Sequence, residues 1–82
     1  MQIKICGITT LREIEFVNEL KPDYIGLVFA ESKRKVNKEK AFKLCNRLNK
    51  DIKTVAVFRN NSFEEITKVL EKIPVDILQL HG

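Results

Sequence analysis

Four short apolar runs alternate with three segments whose apolar residues recur every three or four positions, and this alternation leaves few folds open. Residues 2–6 read as a strand, with Ile3 and Ile5 on one face and Lys4 and Cys6 on the other. Thr10-Leu11-Arg12-Glu13 is a capping-box pattern. It is followed by the helical stripe Leu11, Ile14, Val17 and Leu20, which Pro22 ends. Residues 24–29 are apolar almost throughout, as expected of a parallel strand covered on both faces. A second helix follows Asn37 on the stripe Ala41, Leu44, Cys45 and Leu48, and residues 54–58 form another apolar strand. Ser62-Phe63-Glu64-Glu65 is a second capping box, leading into Ile66, Val69, Leu70 and Ile73 before Pro74. Residues 75–80 make the fourth strand.

The resulting order is βαβαβαβ in one small domain, residues 1–82, with no linker or low-complexity segment. Such alternation implies parallel pairing through right-handed crossovers. If the strands lie in sequence order, all three helices fall on one face. The other face, with apolar residues of strands two and three, is then expected to be bare, and both sheet edges open. Three resolutions present themselves: further βα units that close a barrel, a second copy of the chain, or a flavodoxin-like strand order with helices on both faces.

Composition narrows the function. With 44% apolar and 32% charged residues the balance is that of a soluble globular protein. The apolar runs are strand-sized, too short to span a bilayer, and no secretory signal opens the chain, so the cytoplasm is the expected location. The net charge of +4 spreads over fifteen basic and eleven acidic residues, a solvated surface or a weak field for an anionic ligand. Nucleic acid is not an expected partner, since no basic stripe interleaves with aromatics. Two cysteines and one histidine lack metal-ligand spacing, so no metal or cofactor is expected and the thiols are read as free.

Few side chains are candidates for chemistry. Cys6 ends a strand before Gly7, at the rim where α/β active sites lie. It reads either as a base or nucleophile, if nearby charge such as Lys4 stabilises the thiolate, or as a small hydrophobe. Cys45 lies on an apolar helical stripe and reads as packing. Gln79 and His81 share one face of the last strand, opposite Leu78 and Leu80. They either line a polar site or fray into solvent. Arg34, after strand two, is a fork able to clamp a carboxylate or phosphate, or one charge in the basic run Lys33-Arg34-Lys35. Asp23 and Asp76 stand at strand starts and read as turn residues. Gly26, within strand two, marks a close approach or tight packing.

Taken together, these segments resemble the N-terminal portion of the phosphoribosylanthranilate isomerase family. The likeness is carried by Lys4-Ile5-Cys6-Gly7-Ile8-Thr9, Asp23-Tyr24-Ile25-Gly26-Leu27-Val28-Phe29 and Ser32-Lys33-Arg34. It continues in Val55-Ala56-Val57-Phe58 and Gln79-Leu80-His81-Gly82. Lys33 stands where the family usually has proline, and Arg59 where a smaller residue is common. The resemblance implies the first half of a (β/α)8 TIM barrel and a cofactor-free Amadori rearrangement of the small anionic substrate N-(5-phosphoribosyl)anthranilate, a step of tryptophan synthesis. It implies Cys6 as general base, Arg34 near the anthranilate end, and Gln79 and His81 along the rim. The family's general acid is an aspartate on a later strand, and its phosphate site lies in the last two βα loops, both outside these 82 residues. The resemblance thus implies a missing C-terminal half. The competing readings are a self-associating half-barrel and a small flavodoxin-like binding domain.

Overall fold

The computed structural model describes residues 2–81, with side chains from Gln2 to Leu80. The elements are β1 (Lys4–Cys6), α1 (Leu11–Leu20), β2 (Tyr24–Val28), α2 (Lys38–Arg47), β3 (Lys53–Arg59), α3 (Phe63–Lys72) and β4 (Ile77–His81). All strand pairs are parallel and the sheet order is β1-β2-β3-β4. Sequential order disposes of the flavodoxin-like alternative, which needs a reversal of strand order.

Each helix starts where its first free N–H groups find a side-chain acceptor. Thr10 Oγ accepts from Glu13 N–H at 3.1 Å, while Glu13 Oε1 accepts from the N–H groups of Thr9 and Thr10 at 2.8 and 3.1 Å. Ser62 and Glu65 repeat the arrangement at α3, and Asn37 Oδ1 caps α2 from Lys40 N–H at 2.8 Å. α1 ends at Leu20 because Pro22 disfavours a helical Lys21, which instead turns left-handed at φ 51°. These hydrogen bonds hold the Glu13 carboxyl below the usual carboxylate range, the contact with Thr9 N–H leading. A lowered folded-state pKa means a contribution that is full above the ordinary value of 4.5 and lost as pH falls through the folded-state value. Glu13→Gln should therefore lower the urea midpoint at pH 7 and lower it less in acid well below pH 4.5. An equal loss at both pH values would contradict this.

One core lies between sheet and helices. Ile14 and Val17 of α1, Ala41 and Leu44 of α2 and Val69 of α3 meet Ile25, Leu27, Phe29, Ala56 and Phe58 from the sheet. Helices α1, α2 and α3 pack in order along this one face. The half-buried Cys45 packs against the same cluster, and burial pushes its thiol up, away from the reactive thiolate.

At the opposite end of the strands, two aspartates act as clasps. Asp23 Oδ2 accepts from Ile3 N–H, and Asp76 Oδ2 from Thr54 N–H, each at 2.8 Å. Each carboxylate stands just before one strand and takes an N–H of the strand's neighbour. They are the strand-start residues expected from sequence, with a defined structural task.

The far face of the sheet departs from expectation. Val55 and Val57, predicted bare, are 3% and 7% exposed. The cause is curvature. Three interstrand gaps of about 4.8 Å would set the edge strands of a flat sheet about 14 Å apart. Yet Lys4 Nζ of β1 donates to Gln79 Oε1 of β4 at 2.8 Å. The sheet curls, and the Lys4 stem passes over the hollow between. Exposed apolar side chains remain at Ile3, Phe16 and Leu20 in the β1–α1 part of the chain, and at Phe63, Ile77, Leu78 and Leu80 in the α3–β4 part.

Candidate functional site on the concave face

Strand alternation and register assign the concave face residue by residue. Lys4, Tyr24 and Lys53 form one row, and Cys6, Gly26, Val55 and Ile77 the next. Val28, Val57 and Gln79 follow, and Arg59 pairs with His81 at the rim. No aspartate or glutamate occurs among these positions. The face is therefore a shallow cationic hollow with one thiol.

Cys6 is the last residue of β1, exposed and free of any disulfide. Its place depends on two glycines. A Cβ on Gly26, its partner across the ladder, would come within 2.8 Å of Cys6 Sγ, so the thiol rests where any other residue would have a side chain. Gly7 takes φ 84°, and its N–H and that of Ile8 both donate to Gly26 C=O, at 2.9 and 3.3 Å. Ile8, 3% exposed, then anchors the loop in the core, and Glu13 holds Thr9. The thiol thus stands on a turn fixed from both sides.

Arg34 comes to the same turn from the β2–α2 loop. Its Cδ and Nη1 lie 2.5 and 3.0 Å from where a Gly7 Cβ would stand, so its side chain crosses the bare backbone next to Cys6. The loop is pinned by Val36, buried, whose N–H donates to Val28 C=O at 2.8 Å, and by Ser32 Oγ, which accepts from Arg34 N–H at 3.1 Å. Its neighbour Lys35 is committed elsewhere: it pairs with Glu31 at 2.6 Å, and that contact raises its pKa. Among the described residues Arg34 enters neither ion pair, so its guanidinium is available to an anion.

Gly7→Ala should cost about 1–3 kcal/mol through the left-handed φ alone and also drive Arg34 from the turn. A urea titration reads the first effect. An unchanged midpoint would show that the turn tolerates a Cβ.

Of the candidates named from sequence, Cys6 and Gln79 lie on the concave face, and Arg34 crosses Gly7 from the loop after β2. The side chain of His81 lies outside the described residues; its backbone ends β4 opposite Arg59. The ammonium of Lys4, offered from sequence as help for the thiolate, reaches Gln79. Gly26 marks a close approach, as expected from sequence, and the group that approaches is the Cys6 thiol; the role of Gly7 went unread because it depends on Arg34, which crosses it from a loop distant in sequence. Arg59 shares the rim, its N–H held by Asn61 Oδ1 at 2.8 Å. Strand parity with Val57 was the signal that could have placed it. Among the described residues no group of three or more potential metal ligands forms, and no helix is long and apolar enough to cross a membrane.

With this geometry in view, comparison with known proteins is informative. The sequence model of the N-(5'phosphoribosyl)anthranilate (PRA) isomerase family matches residues 3–82. An N-(5'-phosphoribosyl)anthranilate isomerase of Clostridium beijerinckii is 51% identical over all 82 residues, which cover 36% of that protein. A solved phosphoribosyl anthranilate isomerase in complex with reduced 1-(o-carboxyphenylamino)-1-deoxyribulose 5-phosphate superposes with a TM-score of 0.92. It is 36% identical, and the match covers all of this chain and 43% of that one. Monomers generated from the dimeric enzyme of Thermotoga maritima match with a TM-score of 0.89 and 37% identity, over all of this chain and 42% of theirs. The chain thus spans little more than a third of the length of the Clostridium beijerinckii relative.

Proposed function

This chain belongs to the N-(5'-phosphoribosyl)anthranilate isomerase family, its four strands and three helices forming the first half of that family's TIM barrel, and we propose that its concave face is one wall of an isomerase site. The observation that carries the proposal is a free thiol at the end of β1, cradled by Gly26 on a face without carboxylates, beside an Arg34 that enters no ion pair among the described residues. Such a wall suits a substrate with a carboxylate at one end and a phosphate at the other.

The reaction is an Amadori rearrangement. Protonation of the furanose oxygen opens the ring to a Schiff base at C1. Cys6, as general base, then takes the proton from C2, giving an enolamine that tautomerises to the 1-amino-1-deoxyketose. Arg34 binds the anthranilate carboxylate through its fork. Gln79 and His81 line the rim, and no metal or cofactor takes part. With no aspartate or glutamate on this face, the ring-opening acid comes from elsewhere in the assembled barrel, as does the phosphate site.

The edge strands β1 and β4 are where further βα units or a second copy would complete the wall into a barrel. We place the protein in the cytoplasm, with its small anionic substrate as the principal partner. Steady-state turnover of N-(5'-phosphoribosyl)anthranilate by the full gene product, followed by substrate fluorescence, tests this reading. Conversion to the deoxyribulose phosphate supports it. A folded protein that binds the substrate without converting it would overturn it.

A further inference from the structure

The contact between Lys4 and Gln79 joins the two edge strands across the hollow, between residues 75 positions apart. Its chemistry is asymmetric. A lysine ammonium can only donate, so the atom of Gln79 facing it must be the carbonyl oxygen and not the amino group. A carboxamide held by its oxygen presents its NH₂ on the opposite side. Lys4 lies two residues before Cys6 along β1, toward the N-terminal end of the strands, whereas Gln79 is on the row beyond Cys6 toward the rim. The amide is thereby held from below.

We propose that Lys4 is a positioning residue: by engaging Gln79 Oε1 it fixes the Gln79 carboxamide in one flip state, so that Gln79 serves as a hydrogen-bond donor to an oxygen of the sugar portion of the substrate. The proposal rests on the isomerase reading of this face. Three structural features support it over a role for Lys4 as thiolate partner. The ammonium is within 2.8 Å of the amide oxygen. Gln79 is half-buried, with a further interaction of its own, so it is an ordered side chain rather than a frayed end. Lys4 is exposed and joins neither ion pair among the described residues, so no carboxylate competes for its charge.

Lys4→Met removes the donor while keeping the stem, and Lys4→Arg restores a donor. In the full gene product, the side-chain amide signals of Gln79 in ¹⁵N spectra should be distinct in the wild type, collapse toward free-glutamine values in Lys4→Met, and return in Lys4→Arg. Lys4→Met should lower kcat/KM roughly tenfold, the scale of one charge-assisted hydrogen bond at an exposed site. It should cause no further loss when added to Gln79→Ala, and should leave the pH profile of Cys6 alkylation unmoved. Persistence of the Gln79 signals in Lys4→Met, multiplying losses in the double variant, or a shifted alkylation profile would each overturn the proposal. A wild-type protein without turnover would sink the isomerase reading. The spectra would then decide the contact alone: collapse in Lys4→Met would retain it and persistence would overturn it.

Discussion

Cys6→Ala in the full gene product is expected to reduce turnover of N-(5'-phosphoribosyl)anthranilate by about 10²- to 10⁴-fold, the usual contribution of a positioned acid or base. Folding should be nearly unaffected. The thiol is exposed, and the space around it is set by Gly26 and by the turn at Gly7, neither of which the substitution disturbs. A methyl group also fits where the thiol stood, since a Cβ is already present. The loss should appear in kcat more than in KM, because the base acts on a proton in flight and contributes little to holding the ground state. A variant that keeps within threefold of wild-type kcat would remove Cys6 from the reaction.

Phe58→Ala is expected to have the largest effect on the fold itself. Phe58 is 1% exposed in β3, one of the two inner strands, and its ring stacks on Phe29 at 5.3 Å between centroids and 18° between planes. Truncating such a ring typically costs about 3–5 kcal/mol, from lost transfer free energy and the cavity left behind. A domain of this size has only about 5–15 kcal/mol to lose, and sits toward the lower end of that range. The variant should therefore show a large fall in urea midpoint and a substantial unfolded fraction at 37 °C. Phe63, 85% exposed at the start of α3, provides the contrast: in these 82 residues its replacement by alanine should change the unfolding free energy by less than about 0.5 kcal/mol. Similar losses at the two positions would contradict the placement of the core.

The features legible in the sequence are those decided locally. Thr10 and Ser62 announce their helices because a capping box closes within four residues. Strand order follows from parallel alternation, since short crossovers place successive strands side by side. Strand ends were harder. β1 was expected from residue 2 but starts at Lys4, and β4 from residue 75 but starts at Ile77. Both differences lie beside the aspartate clasps. Asp23 takes the N–H of Ile3, and Asp76 precedes β4 with its carboxylate turned to Thr54, so side chains replace ladder bonds there. A period-two pattern does not register such an exchange.

The site was half legible for the same reason. Parity placed Cys6 and Gln79 on the chemically useful face, and the loop position of Arg34 followed from its place after β2. What Arg34 touches, and what lies over Gly26, depends on chains crossing from elsewhere in the fold. The closing of Val55 and Val57 depends on the curl of the whole sheet, which the Lys4–Gln79 contact reports and no local pattern encodes.

The central claim is that Cys6 removes the C2 proton of an aminoaldose bound against this face. The most direct measurement uses N-(5'-phosphoribosyl)anthranilate deuterated at C2 of the ribose, with single-turnover conversion followed for the wild type and for Cys6→Ala. The account predicts a primary isotope effect on the wild-type chemical step and release of C2 deuterium to solvent, with both conversion and release lost in the variant. Release of C2 deuterium at the wild-type rate by Cys6→Ala would contradict it.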